Sequence, residues 1–318
     1  MHKTILALSL SLTLFFSAPF LVGCAGKTPA ESDHNASSDS ADTSEVEKRT
    51  TVTDYLLPEA SGTVVYGNDT ISIDASNVSE GYVMIRHQGG VDKVKLQITT
   101  PDGTVYSYTL SIGSFEAFPL TGGNGTYHLD VLEHAYDKMY AVAFSQDIDV
   151  AINDEFRPYL YPNQYVWFTA DDQAIACAAS LSDESSDDLS YVEQVYNYVI
   201  ENITYDDELA ANVQADYLPD IDRTLTSKKG ICFDYASLMA AMLRSQKIPT
   251  KLVVGYSGDA YHAWISVYLT EIGWVDNIIE FDGKSWSLMD PTLAANNSSK
   301  SVAKYIGDGS NYTVKYSY

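Results

Sequence analysis

The sequence has few basic residues and few cysteines. Its 318 residues include 19 Lys and Arg against 43 Asp and Glu, which gives a formal charge of −24. Nucleic acid and anionic membrane surfaces repel such a polyanion, so neither is expected as a partner. The chain contains only three cysteines, Cys24, Cys177 and Cys232. Leaving Cys24 aside, the other two could form one disulfide, or one reactive and one buried thiol.

An apolar stretch from Ile5 to Phe20 marks the start of the chain. It is short for a membrane span and has the length of the apolar part of a signal peptide. It leads into Leu21-Val22-Gly23-Cys24, which resembles the bacterial lipobox, a signal in which the cysteine is lipidated and becomes the first residue. We predict a signal peptide at 1–23 and a secreted lipoprotein anchored through Cys24 at the extracellular face of the cell membrane. An ordinary secretory signal with an incidental cysteine is the alternative.

Two regions of different composition follow the leader. Residues 24–51 are rich in Ser, Asp, Glu, Ala and Thr, and they cannot bury enough apolar surface to offset the entropy of ordering. This segment is therefore predicted to be a disordered tether. Between residues 52 and 152, short apolar runs separated by Gly and Asp favour an all-β sandwich domain. Its predicted strands are 63–66, 70–73, 82–85, 94–98 and 126–131.

From residue 153 to 318 the pattern predicts helices followed by antiparallel strands, which is typical of an α+β domain. Apolar residues at helical spacing from Leu189 to Ile203 indicate an amphipathic helix, with Asp187 or Asp188 as its cap. A second helix is predicted to begin near Cys232. The strands predicted after it are 251–256, 262–269, 277–281, 284–288 and 312–316, with a hairpin turn at Asp282–Gly283.

Cys232 has the sequence environment of a nucleophile. It follows Lys228-Lys229-Gly230 and lies in the first turn of the second predicted helix. The unpaired amides and the dipole of a helix N-terminus favour a thiolate there, and Gly230 leaves room for a substrate carbonyl. Cys177 lies instead in a run of small residues, which is typical of a buried thiol. A structural disulfide between the two cysteines is the alternative.

His262 and Asp290 can complete a thiol-dependent site. His262 opens an alternating strand, on its less apolar face, where the strand can meet a helix N-terminus. A catalytic base needs a third group that fixes its tautomer, and Asp290 at the end of a later strand can supply it. Asp276 and Asn277 are competing candidates. Taken alone, the histidine could equally be structural and the aspartate could lie in a solvated turn.

Three blocks of the sequence resemble the signature blocks of the transglutaminase-like superfamily: Gly230–Ala236, Tyr261–Trp264 and Trp286–Thr292. The resemblance extends over roughly residues 153–318. It implies a papain-like core with Cys232 as the nucleophile, His262 as general base and then acid, and Asp290 as the orienting group. It also implies a second oxyanion donor beside the backbone amide of Cys232, for which Gln164 is a candidate.

Active members of this superfamily form a thioester and differ in the acceptor that resolves it. The resemblance therefore implies action on peptide or amide bonds, and we expect hydrolysis of a peptide or protein substrate in the cell envelope. Cross-linking by acyl transfer to an amine is one alternative, and a catalytically silent module that binds wall polymer or protein is another. No cofactor or metal is expected, and no calcium-loop spacing of acidic residues occurs.

Overall fold

The structure, a computed structural model, describes residues 48–257, 259–276, 279–281, 286–288 and 312–318. The predicted signal peptide, Cys24, most of the predicted tether, the turn at Asp282–Gly283 and Asp290 lie outside these residues. No helix in the described part of the chain is long and apolar enough to cross a bilayer.

Residues 65–150 form two antiparallel sheets of four strands each, and all five strands predicted in this region overlap observed strands. In chain order the strands are β1 (Val65–Gly67), β2 (Ile71–Asp74), β3 (Tyr82–His87), β4 (Val94–Thr99), β5 (Val105–Leu110), β6 (Glu116–Pro119), β7 (Gly125–Tyr136) and β8 (Met139–Val150). The sheet orders are β1-β2-β3-β6 and β5-β4-β7-β8. Every second residue of β4 and β5 is buried, as expected where one face of a sheet covers a core.

The helices follow these sheets. They are α1 (Gln173–Asp183), α2 (Asp188–Asn202), α3 (Asp207–Asn212), α4 (Ile221–Ser227) and α5 (Cys232–Ser245), with single 3-10 turns at Val78–Glu80 and Arg157–Tyr159. The predicted amphipathic helix is confirmed as α2. Asp187 is its cap, because its carboxylate accepts a hydrogen bond of 2.7 Å from the backbone N–H of Ser190.

The remaining strands surround α5. They are β9 (Thr204–Tyr205), β10 (Lys229–Gly230), β11 (Thr250–Ser257), β12 (Ala260–Leu269), β13 (Gly273–Val275), β14 (Ile279–Phe281), β15 (Trp286–Leu288) and β16 (Tyr312–Ser317). An antiparallel sheet has the order β13-β12-β11-β16, while β9 and β10 form a short parallel pair. Since β13 pairs with β12 only at residues 267–269, the edge of β12 near His262 has no strand partner among the described residues.

Helix α5 is buried on all sides from its third residue onward, since every residue from Asp234 to Ser245 is buried. The small residues Ala236, Ser237 and Ala240 are as fully enclosed as the large ones. A helix that is buried all round is the centre of its fold, so the position of its first residue is set by the elements packed against it.

Arg244 carries a buried positive charge near the end of α5. It is 1% exposed, and its guanidinium donates to the backbone carbonyls of Thr250 (2.7 and 2.9 Å), Tyr161 (2.9 Å) and Tyr318 (2.6 Å). Burial lowers the pKa of Arg244 to about 9. The three carbonyls come from separate segments, so Arg244 joins α5 to the chain before α1 and to the strand pair at β11 and β16.

The strand-rich region and the helical region share one continuous buried core, so the residues that the structure describes form one compact unit. Hydrogen bonds also join the two regions, for example from the Thr121 hydroxyl to the Ser317 carbonyl at 2.9 Å. The boundary expected near residue 152, between a sandwich domain and an α+β domain, stays a prediction.

Arg49 fastens the beginning of the described chain to the helices. Its guanidinium donates to the Asp188 carboxylate (2.7 Å), the Ser182 hydroxyl (2.6 Å) and the Gln246 carbonyl (2.6 Å). It also lies 4.8 Å from the centroid of the Tyr191 ring. These contacts join α1, α2 and the end of α5, which is the end opposite to Cys232.

We expect Arg49→Ala to lower the free energy of unfolding by about 1–3 kcal/mol, because it leaves several polar groups without a charged donor. Lys48→Ala is the matched control, since Lys48 is exposed and its loss should change stability by less than about 0.5 kcal/mol. Urea denaturation of the two variants measures both values. Equal effects would show that Arg49 is an ordinary surface residue.

Candidate active site

Cys232 is the first residue of α5, and the backbone before it is held in an extended conformation. Gly230 lies in the parallel pair of β10 with β9, and Ile231 has φ −94° and ψ 175°. The carboxylate of Asp234 accepts a hydrogen bond of 2.9 Å from the Ile231 N–H. A side chain three residues into the helix thus satisfies one of the amides that a helix N-terminus leaves unpaired.

Asp234 is itself held by two side chains from the preceding segment. The Tyr217 hydroxyl donates to the Asp234 carboxylate at 2.6 Å, and Arg223 donates to the Tyr217 oxygen at 2.5 Å. Arg223 lies 3.7 Å from the same carboxylate. A Cβ atom on Gly230 would stand 2.7 Å from the Asp234 Cβ, so glycine is required for the carboxylate to approach the backbone.

The thiol of Cys232 lies beside β12 and is mostly enclosed. The backbone N–H groups of Ala263 and Phe233 hydrogen-bond to it. Burial nevertheless raises the pKa of Cys232, and these two N–H groups offset only part of that effect. The sequence predicted a thiolate favoured by the helix terminus, whereas the enclosed position favours the neutral thiol in the unliganded protein.

His262 directly precedes the residue whose N–H contacts the thiol. Its imidazole is 9% exposed and lies next to the Trp264 ring, with centroids 6.3 Å apart and planes inclined by 24°. Burial lowers the pKa of His262 to about 4, so the ring is neutral at pH 7. Its Nε2 atom has no hydrogen-bond partner among the described residues. The site therefore pairs a neutral thiol with a neutral imidazole on adjoining elements.

Tyr205 provides a further polar group at the thiol. Burial is the main cause that raises the pKa of Tyr205, the nearby Cys232 thiol raises it further, and the backbone N–H of Cys232 acts in the opposite direction. Tyr205 belongs to β9, whose pairing with β10 brings it to the start of α5. Neither Tyr205 nor Tyr217 was singled out from the sequence, because nothing in their spacing distinguishes them among 24 tyrosines.

The other predicted site residues are distributed differently. Gln164 donates its side-chain amide to the Thr109 carbonyl (2.7 Å) and to Glu116 (3.1 Å), so in this structure it joins the strand-rich region and does not donate toward Cys232. Its role as an oxyanion donor stays an untested prediction. Asp290 lies outside the described residues. Cys177 is buried and no disulfide joins it to Cys232.

Comparison with known families bears out the resemblance seen in the sequence. Residues 175–278 match the family model of the transglutaminase-like superfamily, over about a third of the chain. The match spans α1 to β13 and includes both Cys232 and His262. No curated protein sequence matches the chain.

Among solved structures, the chain is similar to a candidate cysteine protease from Cytophaga hutchinsonii at 13% identity, covering 80% of this chain and 74% of that one, with a TM-score of 0.36. Red sea bream transglutaminase matches at 12% identity over 68% of this chain and 48% of its own, with a TM-score of 0.27. A candidate protease from Parabacteroides distasonis matches at 14% identity over 63% and 60% of the two chains, with a TM-score of 0.26.

The support of Asp234 can be tested through its charge. Burial raises the pKa of Asp234, and the hydrogen bond from Tyr217 lowers it. Tyr217→Phe should therefore raise this pKa further and lower the free energy of unfolding at pH 7 by about 1–3 kcal/mol. Because the loss arises from the ionised carboxylate, it should shrink as the pH falls through the pKa of Asp234.

Denaturant unfolding of Tyr217→Phe at pH 7 and pH 4 measures this difference. Tyr136→Phe is the control, since Tyr136 is 65% exposed at the end of β7. A loss of stability that is the same at both pH values would show that the Tyr217 hydroxyl does not act on the Asp234 charge.

Proposed function

Because residues 175–278 form a transglutaminase-like core, we propose that this protein is a thiol-dependent enzyme that cleaves a peptide or amide bond through a thioester. The observation that carries the proposal is the position of Cys232. Its thiol lies at the N-terminus of a fully buried helix and beside the peptide that joins His262 to Ala263. A nucleophile and a base on adjoining rigid elements are the minimum that acyl transfer requires.

The reaction begins from neutral partners. The Cys232 sulfur attacks the substrate carbonyl while its proton passes to His262, so a carbon–sulfur bond forms and an imidazolium appears. His262 then gives the proton to the leaving nitrogen as the carbon–nitrogen bond breaks. Water then attacks the thioester while His262 takes one of its protons, the carbon–sulfur bond breaks to release the carboxylic acid, and His262 returns the proton to the Cys232 sulfur. Without substrate, proton transfer from Cys232 to His262 is unfavourable, because burial raises the pKa of the thiol and lowers that of the imidazole. Substrate binding therefore supplies the free energy for this transfer.

Tyr205 is assigned to the oxyanion. Its phenol lies near the thiol and the backbone N–H of Cys232, both of which affect its pKa. A substrate carbonyl oxygen entering between them could accept hydrogen bonds from that N–H and from the Tyr205 hydroxyl. Donors directed at the developing negative charge contribute most when water is excluded, and a substrate that covers the partly exposed Cys232 would exclude it.

Asp290 is assigned to orient His262. A buried imidazole whose Nε2 atom lacks a partner among the described residues needs such a group, since an unsatisfied buried donor or acceptor costs about 1–3 kcal/mol. The sequence offers Asp290, which comes two residues after β15. Hydrolysis is favoured over transfer to an amine because a protein facing open solvent meets water at far higher concentration than any amine.

Alkylation of the two cysteines tests the nucleophile. Iodoacetamide should modify Cys232 in the native protein, with a rate that rises steeply through alkaline pH and has no plateau at acidic pH, because burial raises the thiol pKa. Cys177 should react only after unfolding, since it is buried. Peptide mass spectrometry assigns the modified residue. A native Cys232 that is inert at every pH would contradict the proposal.

The variant His262→Ala tests the role of the general base while leaving the nucleophile in place. Acyl transfer from p-nitrophenyl acetate should fall by roughly 10²–10⁴-fold, the usual contribution of a general base. Alkylation of Cys232 at high pH should persist, because hydroxide can remove the proton there. Ser266→Ala, further along the same strand, is the control. Loss of both reactions in His262→Ala would indicate a damaged fold.

The location of the enzyme is part of the proposal. The lipobox-like segment ending at Cys24 supports a lipoprotein of the cell envelope that meets its peptide or protein substrate there. Cys24→Ala should release the mature protein from membranes or leave it unprocessed, as measured by detergent-phase partitioning and by intact mass. Unchanged partitioning and processing would contradict lipidation.

A further inference from the structure

A surface rich in aromatic residues adjoins the nucleophile. We call it the aromatic wall, and it comprises Tyr165, Phe233, Tyr256, Tyr261 and Tyr316. Phe233 directly follows Cys232, and Tyr261 directly precedes His262. Because side chains alternate along a strand, Tyr261 shares its face of β12 with Ala263, whose N–H contacts the thiol, so the wall adjoins the site on the side of Cys232.

The rings of the wall are fixed against one another and against buried rings behind them. Tyr165 lies 5.3 Å from Phe233, and Tyr256 lies 5.4 Å from Tyr261. Tyr316 lies 5.2 Å from the ring of Tyr106, which belongs to β5 and is buried. Rings held in this way lose little conformational freedom when a ligand covers them, which favours binding.

The outer part of the wall is open to solvent. Tyr261 is 60% exposed, while Tyr256 and Tyr316 are partly exposed. Large apolar side chains exposed beside one another are typical of binding sites in soluble proteins. Tyr256 and Tyr261 are directly paired across β11 and β12, so their rings lie on one face of the sheet.

The phenols of Tyr165, Tyr261 and Tyr316 lie near one another. After burial, those of Tyr261 and Tyr316 are the next causes that raise the pKa of Tyr165. No carboxylate belongs to the wall, and Lys315 lies 5.3 Å from the Tyr256 ring centroid. The wall therefore offers ring faces and neutral hydroxyls, with Lys315 beside its Tyr256 end.

From this arrangement we propose that the aromatic wall binds an aromatic or large apolar side chain of the peptide acyl donor, next to the bond that Cys232 attacks. The inference rests on the proposed function and specifies the class of substrate that the enzyme would accept. Ring faces at 4.5–7 Å separation are favourable partners for another ring. The wall selects a peptide over a glycan because it has no amide or carboxylate side chain with which to bind sugar hydroxyls.

Two chloromethyl ketones with the same reactive group test this preference. Acetyl-phenylalanyl chloromethyl ketone should modify Cys232 roughly ten-fold or more faster than the acetyl-alanyl reagent, as expected for an apolar subsite. Iodoacetamide gives the intrinsic reactivity of the thiol in the same preparation. Tyr261→Ala and Tyr316→Ala should each reduce the preference toward unity without slowing iodoacetamide. Tyr136→Ala, a similarly exposed tyrosine on β7, should retain it.

A second experiment tests the aromatic wall without requiring a reactive thiol. Binding of acetyl-phenylalaninamide and acetyl-alaninamide to the Cys232→Ala protein is measured by ligand-observed NMR, and only the first should bind, with the same dependence on Tyr261. Binding without alkylation would support the wall and overturn the proposed nucleophile. Equal rates for both ketones with no binding, or protection of Cys232 by chitin oligosaccharides instead, would overturn the aromatic preference and leave the nucleophile standing.

Discussion

The complete burial of α5 is the constraint on which the rest of the structure depends. A helix enclosed on every side cannot shift without opening the core, so its first residue occupies a fixed point against β12. The enclosure also means that the backbone N–H groups at the start of the helix need hydrogen-bond acceptors within the protein, away from water. Asp234 satisfies that of Ile231, and the Tyr205 phenol lies near that of Cys232. The burial of α5 thus both stabilises the fold and determines where Cys232 lies.

The same burial determines the electrostatic state of the site. A helix N-terminus favours a thiolate, yet desolvation of the enclosed thiol acts in the opposite direction and prevails for Cys232. His262 experiences the corresponding effect, with its charged form disfavoured. A neutral resting pair is less reactive toward passing electrophiles than an ion pair. Its activation depends on a substrate that occupies the oxyanion position and accepts negative charge there.

The sequence alone was sufficient to predict those helices and strands that depend on local patterns of residues. The periodicity of α2, its cap at Asp187 and the strand that begins near His262 follow from short patterns, and the structure confirms them. The placement of Cys232 at the start of a helix was also predicted. The protonation state of the Cys232 thiol was not predicted, because its pKa depends on how deeply neighbouring elements enclose it. The spacing of residues in the sequence does not contain this information.

Contacts between distant segments explain the remaining differences. Tyr217 reaches Asp234 across 17 residues, and Gln164 is directed to Thr109 by the approach of the strand-rich region. Arg49 meets Gln246 from nearly two hundred residues away. None of these pairs has a spacing that a local rule could recognise. Their identification required the arrangement of sheets and helices around α5.

The central claim is that Cys232 forms a covalent acyl intermediate, and intact-mass spectrometry after mixing with p-nitrophenyl acetate tests it most directly. The account predicts one acetyl group per chain, mapped to Cys232, removable by hydroxylamine as a thioester and absent from Cys232→Ser. The acetyl group should accumulate in Cys177→Ala as in the natural sequence. An acetyl group found on Cys177 or on lysines only, with Cys232 unmodified, would contradict the account.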